Sequence, residues 1–272
     1  MTPFEGRTAI VTGGASGIGR ALGAELARHG ARVVLADLDG AAAERAAAEL
    51  AARGGAASAA ALDVTDAGQV EDLVRRVQGD HGRLDLMFNN AGISMVGEAR
   101  DLTLAAWHRI LDVNLYGVIH GTQAAYPVMI EQRSGHIVNT ASIAGLVPLP
   151  LGIAYNASKF AVVGLSLTLR AEARGHGVRV SVACPGFIDT PLKDSLEYVN
   201  LDKQAAMREL PFRLRPADEC ARAILRGVAR DRGVIVITAE ARALWYLSRL
   251  APRLTVAIGA LAARRSQKLR LP

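Results

Sequence analysis

The chain has 272 residues, half of them hydrophobic and 21% charged, which suits one sizeable α/β domain with a large core and no need of disulfides or metal. The two cysteines, Cys184 and Cys220, lie far apart, and the six histidines show no ligand spacing, which argues against a zinc site or a disulfide framework. The net charge of +6 is uneven: residues 1–207 hold 18 Lys and Arg against 21 Asp and Glu, and residues 208–272 hold 14 against 5, so a local partner is expected and nucleic acid is not.

Along the chain, short apolar runs alternate with longer helical stretches, the pattern of βα units that build a parallel sheet. Residues 7–12 form the first expected strand. Glu5 and Arg7 sit where a secretory leader would need an apolar core, so none is expected. No apolar run reaches the roughly 18 residues of a membrane-spanning helix, and the expected location is the cytoplasm. Further strands are expected at 32–36, 58–62, 84–89, 136–141, 178–183 and 234–238, each rich in Val, Ile, Leu or Ala, as in strands covered on both faces. Helices are expected at 19–29, 41–53 and 67–81, the first stopped at His29-Gly30 and the third capped by Asp66 or Thr65. The fold class is therefore α/β: a doubly wound, Rossmann-type sheet of seven parallel strands with helices on both faces. One dinucleotide-binding and catalytic domain is expected over residues 1–240, followed by a basic helical tail over 241–272.

After the first strand come Gly13, Ser16, Gly17, Ile18 and Gly19, running into a helix. Glycines let the backbone turn tightly and approach a pyrophosphate, whose charge then meets the helix N-terminus. The spacing G-x-x-x-G-x-G is a variant of the commoner fingerprint. Asp37 ends the second strand, about 20 residues on, where a carboxylate would accept from the adenosine ribose hydroxyls and repel a 2′-phosphate. Leu38 and Ser16 supply no cation for such a phosphate, and Arg20 lies one position inside the helix, so NAD is favoured over NADP.

Tyr155 and Lys159, four residues apart, share one helical face. A free phenol titrates near pH 10, so acid–base work at neutral pH calls for a neighbouring cation to lower it. The pair gains weight from Ser142 at a strand end, Asn114 before that strand, and Asn89-Asn90-Ala91-Gly92 after the fourth strand.

In these motifs, with Asp63-Val64 and Pro185-Gly186, the chain resembles the classical short-chain dehydrogenase/reductase family from residue 7 to about residue 238. The resemblance implies a role for each matched position. Tyr155 would exchange a proton with the substrate oxygen, and Ser142 would hydrogen-bond that oxygen. Lys159 would bind the nicotinamide ribose and lower the Tyr155 pKa, with Asn114 holding a water between Lys159 and solvent. Asp63 and Val64 would contact adenine, Asn90 and Gly92 would line the cofactor, and Ile188 and Thr190 would meet the carboxamide. The implied activity is hydride transfer between NAD(H) and a secondary alcohol or ketone. An NADP-linked ketoreductase of acyl or polyketide substrates is the alternative. A non-catalytic dinucleotide-binding sensor or scaffold is the alternative from another class, and the intact Asn114, Ser142, Tyr155 and Lys159 speak against it. The family's habit of forming dimers and tetramers extends to this chain as an expectation.

Residues 189–216 occupy the family's lid position. Pro191, Leu192, Leu196, Tyr198, Val199, Leu201, Met207, Leu210 and Phe212, with Ile143, Leu146, Val147, Leu149, Leu151 and Ile153, either line an apolar pocket for a bulky alcohol or ketone or simply pack the lid or a subunit interface. Cys184 reads as a packed small residue without a base to activate it. The tail carries seven basic residues and no acid, and Pro252 splits it into two helices. Packing within the chain or on another subunit is its first reading, and peripheral contact with an anionic membrane its second.

Overall fold

In the computed structural model, which describes residues 3–193, 196–208 and 214–271, the seven expected strands form one parallel sheet. They are β1 (Thr8–Thr12), β2 (Arg32–Asp37), β3 (Ala56–Ala61), β4 (Leu86–Asn89), β5 (Gly135–Thr140), β6 (Val178–Cys184) and β7 (Val234–Val236). Their spatial order is β7-β6-β5-β4-β1-β2-β3. The winding reverses between β1 and β4, so a crevice opens there at the carboxyl ends of the strands.

The helices cover both faces. On one side α1 (Gly17–Arg28), α2 (Gly40–Ala52) and α8 (Ala217–Ala229) bury Leu22, Leu26, Leu50, Ile224 and Leu225 against Val11, Leu35 and Ile235. On the other, α3 (Ala67–His81) and α5 (Gly117–Glu131) bury Leu73, Val77 and Met129 against Ile10, Met87 and Ile137. α6 (Ile153–Ala173) packs Val162 and Val163 on Val182 and Cys184. Burying a Leu, Ile or Val side chain contributes about 1.5–3 kcal/mol, so these double-sided layers hold the sheet against loss of chain entropy. Asp66, not Thr65, caps α3, accepting from the Gln69 amide at 3.1 Å.

Between α4 (Leu104–Leu111) and α5 one wide π turn, Asp112–Tyr116, turns Asn114 fully inward. Such single wide turns recur at functional sites. Short strand pairs join the outer loops: Met95–Val96 with Glu197–Tyr198, and Ile188–Asp189 with Arg215–Pro216. α7 (Lys203–Arg208) follows the first lid segment. The tail forms α9 (Ala239–Leu250) and α10 (Pro252–Ser266), with Pro252 opening the second helix. Among the described residues no helix is long and apolar enough to cross a membrane.

Candidate active site

The glycine loop leaves β1 and enters α1 with no room for a side chain at Gly13, Gly14 or Gly19. Gly13 has φ +63°, and a Cβ on Gly19 would stand 2.0 Å from the Gly13 carbonyl oxygen. The loop is thus a bare backbone surface leading to a helix N-terminus, which suits a pyrophosphate. Asp37 braces this surface, its carboxylate accepting from the Ala15 amide at 3.0 Å and the Asp39 amide at 3.2 Å. Arg20 is engaged in an ion pair with Glu49.

Asn90 locks the ends of three strands together. Its side-chain amide donates to the Thr12 carbonyl at 3.1 Å and accepts from the Thr140 hydroxyl at 3.2 Å. The Thr12 hydroxyl accepts from the backbone amides of Asn90 and Ala91 at 2.9 and 3.0 Å. Behind them Asn89 donates to Asn139 at 2.8 Å, and Asn139 to Ser166 at 2.9 Å, a buried polar layer between β4, β5 and α6.

At the other end, α6 presents Tyr155 and Lys159. Lys159 is buried and donates to the Thr140 carbonyl at 2.9 Å, its ammonium 5.6 Å from the centre of the Tyr155 ring. Burial depresses the Lys159 ammonium to a pKa of about 8. The same desolvation pushes the half-buried Tyr155 phenol up, and a hydrogen bond with Ser142 draws it part of the way back. Burial is thus the largest influence on the phenol, and it favours the protonated form. The Ser142 hydroxyl also accepts from the Ala144 amide at 3.1 Å, which fixes its rotamer. Cys184 is buried, its thiol pushed up to about 12 by desolvation, an inert neighbour and no nucleophile.

Asn114 spends its side chain on the loop that carries Gly92. It accepts from the Ile93 amide at 2.8 Å and donates to the Ile93 carbonyl at 2.9 Å and to Ser158 at 3.2 Å. A Cβ on Gly92 would meet Asn114 Oδ1 at 3.2 Å and Lys159 Nζ at 3.4 Å, so Asn114 and Lys159 flank the same glycine.

One cleft of about 410 Å³ unites these groups. It is lined by every catalytic or cofactor-binding residue expected from the sequence except Gly19, which packs beneath the loop, and Asn114, which stands behind Gly92. Gly13, Ser16, Gly17, Ile18, Asp37, Asp63 and Val64 form one end, Asn90 and Gly92 the middle, and Ser142, Tyr155 and Lys159 the other end. Pro185, Gly186, Ile188 and Thr190 close the side towards the lid. Sequence reasoning missed Thr12 and Thr140, the polar joints of the cleft. Their only signal was a threonine at the end of each buried strand.

Of the two readings of the lid and the loop after Ser142, packing describes several of the side chains. Ile143 and Val147 are buried against Ala241, Leu244 and Trp245 of α9, and Leu149 packs there too, so these side chains pack the chain and do not line the cleft. Val199 packs with Met95 and Ile110, and Leu201 is buried. Of the expected lid residues, Pro191 and Leu192 line the cleft, beside Ile93 and Val113. Leu210 and Phe212 lie outside the described residues, as does the Met207 side chain.

The chain's last residues return to this lid. Leu201 and Arg270 form an antiparallel bridge, with the Asp202 amide donating to the Leu269 carbonyl at 2.8 Å and the Leu271 amide to the Asn200 carbonyl at 3.2 Å. The Arg270 guanidinium binds Asp101 at 2.7 Å and Glu98 at 3.3 Å and holds the Asp101 carboxyl below its ordinary range. A bidentate guanidinium of this kind adds geometric definition as well as attraction.

Comparisons with known proteins agree with this fold. The family profile described as short chain dehydrogenase matches residues 7–200. A crystal structure of a short chain dehydrogenase/reductase from Burkholderia phymatum in complex with NAD is similar with a TM-score of 0.85 and 33% identity, over 93% of this chain and 96% of that one. A 3-ketoacyl-(acyl-carrier-protein) reductase from Brucella melitensis complexed with NADH is similar with a TM-score of 0.77 and 30% identity, over 86% of this chain and 97% of that one. The probable oxidoreductase EphD of Mycobacterium tuberculosis is 38% identical over 253 residues, covering 89% of this chain. The chain spans only 43% of the length of that relative.

Proposed function

Because the chain belongs to the short-chain dehydrogenase family of oxidoreductases, we propose that it transfers a hydride between NAD(H) and a hydrophobic secondary alcohol or ketone, with Tyr155 as proton donor and acceptor. The observation that carries this reading is the single cleft with Asp37 and the bare glycine loop at one end and Ser142, Tyr155 and Lys159 at the other. Bound in that cleft, NAD(H) supplies or accepts the hydride.

The remaining work falls to the chain. Burial keeps the Tyr155 phenol protonated at neutral pH, so the resting site is set to give a proton to a carbonyl oxygen. Ser142, which already bonds the phenol, is placed to share a hydrogen bond with the same oxygen as charge develops on it. Lys159, an ammonium with its pKa near 8, is placed to return a proton to Tyr155 once the phenol has given its own to the carbonyl oxygen. The Thr140 carbonyl fixes the Lys159 ammonium in place.

NAD rather than NADP is supported by the Asp37 carboxylate, by exposed Leu38 beside it, and by the engagement of Arg20 with Glu49. Ile93, Val113, Ile188 and Leu192 around the reactive end favour an apolar substrate. A homodimer or homotetramer is supported by exposed Tyr116, Phe160 and Leu167 on the α5–α6 side. The second reading is an acyl ketoreductase linked to NADP; its acyl substrate draws on the Brucella melitensis 3-ketoacyl-(acyl-carrier-protein) reductase, although that relative is complexed with NADH.

Fluorescence titration with NADH and NADPH, beside a screen of secondary alcohols for NADH production, tests the proposal. NADH should bind at least tenfold more tightly, and Asp37→Ala should erase that preference. Tighter NADPH binding by the unaltered chain would support the second reading and refute the first.

A further inference from the structure

The α9–α10 arm leaves β7, the edge strand, with its outer side bare. α10 packs on α9 through a slender side, buried Thr255 with half-buried Gly259 and Ala263 four and eight residues on. Leu254, Ile258 and Leu261, at helical spacing, are left to solvent, as are Tyr246 and Leu250 of α9, the last 84% exposed. An apolar stripe of this kind is large for a soluble surface and calls for a partner. Residues 241–272 hold seven basic residues and no acid, and Glu240 precedes them in the first turn of α9.

At the root of the arm lies a second cleft, of about 580 Å³, between α8 and β7. Six arginines line it (Arg215, Arg222, Arg226, Arg230, Arg232 and Arg242) against one acid, Glu219. Arg222 is neutralised by Asp218 at 2.7 Å and Arg215 faces Glu240 at 3.6 Å. No ion pair joins Arg226, Arg230 or Arg232 to an acid among the described residues. Arg222, Arg226 and Arg230 recur every four residues and so share one side of α8.

Charge decides the occupant. Two copies meeting about a twofold axis would set the same patch against itself, six arginines facing six arginines, with Glu219 the one lining acid and with Asp218 and Glu240 already paired within each copy. An anionic bilayer offers what this surface lacks: phosphates for the arginines and an acyl boundary for the leucines. We propose that the arm and the arginine cleft at its root dock on an anionic lipid surface. The cleft takes headgroup phosphates, and Leu250, Leu254, Ile258 and Leu261 enter the acyl boundary. α10, about 22 Å long, lies along the surface and does not cross it. The docking stands apart from the proposed chemistry, since neither the arm nor the cleft contains a residue of the reactive site. It would nonetheless bring the site close to lipid, because Leu244 and Trp245 of α9 pack on the loop after Ser142.

Flotation of the full chain with vesicles of phosphatidylcholine alone, and of phosphatidylcholine with phosphatidylglycerol, tests this. The chain should float with the anionic vesicles only, and less so in high salt. Arg226→Gln with Arg230→Gln should weaken partitioning roughly twentyfold, about fivefold for each charge. Leu254→Glu with Ile258→Glu should weaken it at least tenfold. Both double variants should bind NADH like the parent, which shows that they fold. Equal flotation with neutral vesicles, no flotation, or variants that float like the parent would overturn the proposal. So would calorimetric binding of inorganic phosphate without vesicle binding, or a change of oligomeric mass by light scattering as the only effect of the variants.

Discussion

Across the cleft, the wall made by the ends of β1, β2 and β4 is continuous hydrogen-bonded sheet, whereas the opposite wall, residues 188–193 and 196–202, hangs on two-residue strand pairs and on Arg270. In the first wall the cofactor loop is set by neighbours in sequence: a strand, a glycine turn and a helix within the 21 residues from Thr8 to Arg28. The second is set by partners far away, Asp101 and Arg270 lying 169 positions apart. The comparison teaches that cofactor chemistry is written locally in this chain and substrate enclosure is written at long range.

The two walls should therefore fail differently. The cofactor wall has no slack, so Gly19→Ala, which drives a Cβ into the Gly13 carbonyl, should weaken NADH binding by about a hundredfold and cost about 1–3 kcal/mol of stability. Fluorescence titration and urea unfolding check this, and parent-like affinity would break the claim that the loop is tightly constrained. The sheet beneath should show its burial in acid. His136, bonded to Ser181 at 2.8 Å, has its pKa depressed by desolvation from 6.5 to about 3. A depressed group contributes stability above its unfolded pKa and loses it as pH falls towards the folded one. Between pH 7 and 5 this contribution should fall by about 2 kcal/mol. His136→Asn should flatten the dependence in that interval, and an unchanged slope in urea unfolding would exclude His136 as its source. The lid wall should yield most gently. Arg270→Ala should raise KM for a hydrophobic alcohol several-fold while kcat and NADH affinity hold, with Arg270→Lys recovering part of the loss. A matching drop in NADH affinity would show that the walls are coupled, against the comparison.

The same contrast governs what could be read from the chain beforehand. The seven strands, the glycine loop, Asp37 and the Tyr155-Lys159 pair rest on local periodicity and spacing, and the structure collects them in one cleft. Ile143 and Val147 read equally as pocket or packing residues, because the α9 side chains that cover them lie about 100 positions away. The Arg270–Asp101 contact had no local signal at all. Nor did the raised Tyr155 pKa: spacing places a cation beside the phenol but says nothing of its desolvation.

Everything proposed for the reaction converges on one atom, the phenolic oxygen of Tyr155. NADH production from a panel of hydrophobic secondary alcohols, followed for the parent and for Tyr155→Phe alongside NADH titration, tests it most directly. The account predicts parent-like NADH affinity with turnover reduced by about a thousandfold, within the usual range for loss of a general acid–base group. Turnover by Tyr155→Phe at the parent's rate would contradict it.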